Sequence, residues 1–185
     1  MKFDQNVTDR IPADTPNYEL TLKTLQVREA VSQSKQWGIG HVMSGLRNSV
    51  QNSNPTYREG VQRNVDELAQ ATGLFFAFSI WDEAFTRDET ADILDNHLDT
   101  DKAQTFRAYR HMRHSAAHFY NGKRAKQNAK DCAAFDAHMS GAQKFQGVTY
   151  DPDTLDIAES NVGWDCLDFL HEVATHLFGK FANGR

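Results

Sequence analysis

The chain has 185 residues, 39% of them hydrophobic and 24% charged, with a net charge of −5 at pH 7. One domain with a real core is the expectation at this length, and the acidic total excludes a surface that binds nucleic acid through its overall charge. No apolar run approaches the ~20 residues of a bilayer span, and the polar opening MKFDQNVTDRIPADTPNYEL lacks the apolar stretch of a secretory leader.

Residues 1–16 read as an irregular N-terminal segment of a single domain over 1–185. From Tyr18 to about Asn52, Leu22, Leu25, Val31, Val42, Met43, Leu46 and Val50 recur at helical steps, with Trp37-Gly38-Ile39-Gly40 as a candidate break. Pro55 opens a second pattern through Val61, Val65, Leu68 and Ala69 into GLFFAFSIWDEAF, and Ala71 to Ala84 reads as a buried central helix. Thr100 is the expected N-cap of the next helix, with Asp101 in its first turn and Asn121-Gly122 as its stop. A further helix is expected over Arg124 to Met139, then a loop or short hairpin over Gln146 to Asp153. Trp164, Leu167, Leu170, Ala174, Leu177, Phe178 and Phe181 outline a closing amphipathic helix. The pattern predicts an all-α bundle of about five or six helices. Cys132 and Cys166 form no CxxC pair, so neither a disulfide framework nor a cysteine zinc site is expected, which fits a reducing cytoplasm.

Charge is unevenly spread. From Phe106 to Lys130 there are seven Lys or Arg residues and no acid, which leaves −12 on the rest of the chain. The preceding stretch, Asp82 to Asp101, carries eight acids against one base, Arg87. A basic stripe on an acidic body is the footprint of a local polyanion site; it is also what two segments that neutralise each other would look like.

Two motifs carry less than they suggest. HEVATH, His171 to His176, resembles the HExxH zinc signature with one residue too many. Histidines at i and i+5 lie about 140° apart on a helix and do not share a metal. RNSV, Arg47 to Val50, has an Arg-Asn pair but no histidine within the next six residues, and reads as surface.

The stretch RHMRHSAAHFYNGKRAK, Arg110 to Lys126, is different. On an ideal helix Arg107, Arg110, His111, His114 and His118 share a stripe about 100° wide, opposite Phe106, Ala108, Tyr109, Met112 and Ala116. Arg113 falls on the apolar side, where a guanidinium needs a carboxylate; Asp82 or Glu83 of the preceding apolar helix can supply it. Histidine near neutral pH can take or give the proton of a ribose 2′-OH. Arginine presents a fork that matches phosphate oxygens, and such contacts are worth ~3–4 kcal/mol at a developing charge. Lys123, Arg124 and Lys126, with Arg107 and Arg110, would hold an RNA backbone, and Phe119 or Tyr120 could stack on a base. Two other readings stay open: a zinc held by His111, His114 and His118, with the nearby arginines opposing it, and a helix that is merely basic and solvated.

Arg113-His114-Ser115-Ala116-Ala117-His118 resembles the R-x4-6-H motif of the HEPN superfamily (higher eukaryotes and prokaryotes nucleotide-binding domain), including its preference for a polar residue after the arginine. The setting is similar too, with the motif on a helix that follows an apolar helix bearing acids. The resemblance covers the motif and this helical context. It implies a HEPN-like fold and a metal-independent endoribonuclease, without cofactor or metal, that leaves 2′,3′-cyclic phosphate ends. His118 would be general base or acid, Arg113 would stabilise the phosphorane, and His114 would position one of them or the substrate. The implied assembly is a homodimer, which would also relieve the ~140° that separates Arg113 from His118 on one ideal helix. Arg107 with His114 is the alternative pairing on one face. Many such domains are toxin–antitoxin or phage-defence components restrained by an antitoxin or regulatory protein. A non-catalytic RNA-, nucleotide- or partner-binding module is the competing expectation.

Overall fold

Asn17 turns the chain into its first helix through a left-handed conformation (φ 49°), and the Thr21 hydroxyl then donates back to the Pro16 carbonyl at 3.2 Å. The computed structural model describes residues 10–51, 55–116, 137, 145–150 and 155–184. Their helices are α1 (Tyr18–Gln33), α2 (Ile39–Gln51), α3 (Pro55–Ala84), α4 (Arg87–Asp92), α5 (Thr100–Ala116) and α6 (Val162–Ala182). The architecture is all-α, as the periodicity predicts. Its one β-ladder among the described residues is a short antiparallel pairing, with Thr149 opposite Asp156 and Tyr150 opposite Leu155. The expected helix over Arg124 to Met139 and the Asn121-Gly122 stop lie outside the described residues, apart from Ala137.

The expected break at Trp37-Gly38 is a single wide π-helical turn, Ser34–Gly38, which hands the chain from α1 to α2 without interrupting helical winding. Nothing there removes a backbone donor as a proline would, so one inserted residue is absorbed by widening a turn. Proline instead starts α3 at Pro55, where the missing N–H is not needed. The buried stretch foreseen from Ala71 to Ala84 is the second half of this 30-residue helix.

Helix α6 runs antiparallel along α1. Gly184, just beyond α6, lies against Pro16, the Arg28 guanidinium sits over the Phe178 ring, and Lys35 pairs with Asp168. Helix α3 packs against α1, α2, α5 and α6, so its apolar face is the centre of the bundle. Phe78, Trp81 and Phe106 are fully buried there. Their rings meet edge to face at 5.3 Å (Phe78–Phe106) and 4.9 Å (Trp81–Phe106), which locks α5 onto α3. The Trp81 indole donates to the Thr90 hydroxyl at 3.0 Å, tying in α4. That short helix begins with Thr86, whose side chain accepts from the Glu89 N–H while Glu89 accepts from the Thr86 N–H.

Candidate functional site

Helix α5 begins one residue earlier than the sequence suggests. The Asp99 carboxylate accepts from the Lys102 N–H at 2.7 Å and its carbonyl from the Ala103 N–H, so Asp99 caps the helix and Thr100 is its first turn. Asp101 in the first turn complements the helix dipole. Phe106 anchors the middle against α3. Tyr109 packs its ring on Phe145 and on Phe169 of α6 at 5.1 and 5.4 Å.

These contacts surround the helix, and the solvated histidine–arginine face expected from the helical wheel is not what forms. No described side chain from Lys102 to Ala116 is fully exposed. His111, at the margin of the predicted stripe, is completely buried. The remaining basic residues are half-buried and fall into two sets. Arg107 is neutralised: it donates to Asp95 at 2.8 Å, in the turn just before its own helix. Arg113 turns toward α3, where Nη1 donates to Asp82 at 3.1 Å and the guanidinium lies 5.8 Å from the centre of the Phe78 ring. Of the two carboxylates foreseen as its partner, Asp82 is the one used. Mutual neutralisation of the acidic and basic segments is therefore real for these two arginines.

Arg110, one turn before Arg113, is half-buried. It is one of the charges that act on His114, whose imidazole is held below its ordinary value first by burial, then by the Arg113 and Arg110 guanidiniums and by His111, with Asp82 opposing. His114 thus favours its neutral form, on the same helix as the Arg110 and Arg113 guanidiniums that act on it. A neutral imidazole can accept a proton. Two guanidiniums one turn apart can hold an anion with several oxygens. The cluster suits a substrate that brings a negative charge and a proton to be moved, as a phosphodiester with an adjacent hydroxyl does.

No protein-family model, curated protein or solved structure matches this chain. The cluster is read from its chemistry.

Of the residues singled out in the sequence, Arg107, Arg110, Arg113 and His114 lie on this helix, with Arg110, Arg113 and His114 within five consecutive residues and Arg107 diverted to Asp95. His118, Lys123, Arg124 and Lys126 lie outside the described residues, as do Phe119 and Tyr120. Among the described residues no group of three or more His, Cys, Asp or Glu could hold a metal. On α6, His171 is half-buried and His176 exposed. No helix of the described residues is long and apolar enough to cross a membrane.

Two residues that matter here carry no motif. Asp95 is one of eight acids in its stretch, and only the turn between α4 and α5 brings it to Arg107. Gln70 is fully buried on α3, and its side-chain carbonyl accepts from the Gly163 N–H at 2.9 Å, capping the first turn of α6. Its sole sequence signal is a polar residue interrupting the apolar face of α3.

Proposed function

We propose that this protein is a metal-independent endoribonuclease of HEPN type. The observation that carries the reading is a half-buried set on one helix, His114 with Arg110 and Arg113, in which the Arg113 guanidinium is fixed against Asp82 and Phe78. In the proposed reaction an imidazole, His118 first by motif, takes the proton from a ribose 2′-OH. The freed oxygen attacks the adjacent phosphorus. Arg113 stabilises the extra negative charge of the phosphorane. The P–O5′ bond then breaks, the 5′ oxygen leaves with a proton, and a 2′,3′-cyclic phosphate remains. His114 positions the substrate or the second imidazole, and Arg110 holds a phosphate oxygen. A homodimer, a restraining antitoxin and a role in phage defence belong to this reading through the motif.

The test is cleavage of a mixed RNA pool in EDTA by wild type and by His118→Ala purified in parallel. Cutting by the wild type alone, with cyclic phosphate ends, is the expected result. Intact RNA with both proteins folded and no activator required would refute it. Salt-sensitive RNA binding that survives His118→Ala without cleavage would favour the non-catalytic binding module, for which the half-buried arginines are also suited.

A further inference from the structure

Arg113 is the residue on which the proposed chemistry leans for charge, and what fixes its head group is not on its own helix. Phe78 and Asp82 are four residues apart on α3, so they lie one above the other on one face. Together they give the Arg113 guanidinium a flat ring to lie beside and an oxygen to bond. Asp82 also acts on His114, as the one negative charge among the described residues that opposes the effect of Arg113, Arg110 and His111 on its imidazole.

We infer that Asp82 is a positioning residue of this site: from the neighbouring helix its carboxylate holds the Arg113 guanidinium in place against α3 and supplies a negative charge to the cluster. The inference rests on the ribonuclease reading for what the site acts on. Three features favour positioning over blocking. The bond to Asp82 runs through Nη1, and a guanidinium has five N–H donors, so a phosphate can be bound without displacing the carboxylate. The Asp82 side chain is more exposed than that of Arg113, 37% against 24%, so the carboxylate sits on the rim and the cation inward. Finally, α3 and α5 are locked by the Phe78, Trp81 and Phe106 rings, so the platform under Arg113 is rigid.

The experiment compares wild type, Asp82→Asn and Asp82→Glu. Asn keeps the size and an acceptor oxygen but removes the charge; Glu keeps the charge on a longer arm. The His114 midpoint is read by NMR titration, assigned by its absence in His114→Gln, alongside kcat and KM on a short RNA and a melting curve for folding. In folded Asp82→Asn the His114 midpoint moves down, and kcat falls roughly 10- to 100-fold with KM little changed, as for a displaced catalytic cation. Asp82→Glu recovers part of both. An unchanged midpoint and kcat in folded Asp82→Asn would overturn the inference, and so would tighter RNA binding with faster cutting, which would make the carboxylate a block. If the wild type cuts no RNA, the ribonuclease reading falls, and the midpoint, which needs no turnover, still decides whether Asp82 is coupled to the cluster.

Discussion

A Cβ placed on Gly73 would lie 2.6 Å from the Cα of Gly163, so α3 and α6 touch backbone to backbone where they cross. Side chains cannot relieve that contact. Gly73→Ala and Gly163→Ala must push two helices apart and are each expected to destabilise by about 1–3 kcal/mol or more. A Cβ on Gly45 or Gly179 would meet nothing within 4 Å, and both glycines stand exposed within helices. Gly45→Ala and Gly179→Ala should therefore stabilise by about 0.5–1 kcal/mol. Urea unfolding of the four variants separates the two pairs, and a neutral Gly73→Ala would show that the helices can part at the crossing without cost.

Acid should weaken the joint between α1 and α4. Lys23 donates to Glu89 at 2.6 Å, and this bond, followed by the Thr86 N–H, holds the Glu89 carboxyl below its ordinary 4.5. A depressed carboxyl stabilises the folded state above 4.5, and that contribution is lost as pH falls through the folded value. The same bond raises Lys23 above 10.5, so its share is present below 10.5 and disappears as pH climbs through the raised value. Glu89→Gln retains an acceptor for the Thr86 N–H but should flatten the acid limb of the stability curve below about pH 4.5. Thr86→Ala should instead cost about 1 kcal/mol at neutral pH through the lost cap. Denaturation followed at pH 4 and pH 7 distinguishes them.

His114 should titrate below 6.5. Burial and the two guanidiniums disfavour its charged form, so the folded protein binds fewer protons there than the unfolded chain. This group's effect on stability is therefore most favourable above 6.5 and turns against the fold as pH falls through the folded value. RNA cleavage that needs a neutral His114 should hold through pH 6.5 and fall only as pH passes the lowered folded value. An NMR midpoint at or above 6.5 would contradict the burial of the ring and the influence of Arg113 and Arg110 on it.

The two outer arginines should behave differently toward RNA. Arg107 is engaged by Asp95, whereas Arg110 acts on His114 at the cluster itself. Arg110→Ala should weaken RNA binding and lower the salt-dependence slope by about one unit. Arg107→Ala should leave that slope nearly unchanged, because its charge is already neutralised. Equal effects in filter-binding titrations across a salt series would show that Asp95 releases Arg107 when RNA arrives.

Much of the fold was determined locally. The apolar spacing of α3 and α6, Pro55 as a start and an acid-rich helix before a basic one are all read from residues three or four positions apart, where helix geometry makes neighbours of them. The same spacing put Arg113 on the apolar side of α5 and required a carboxylate for it, which Asp82 provides. Tertiary structure decided the rest. A helical wheel has one solvated face only if one side is packed, and α5 is held by both α3 and α6. His111 is buried, Arg107 is turned to Asp95, and Arg110, Arg113 and His114 are left as the candidate cluster. Which acid meets which base, and which glycine must be glycine, depends on contacts between residues tens of positions apart, where Coulomb and steric energies act across space and sequence order carries no distance.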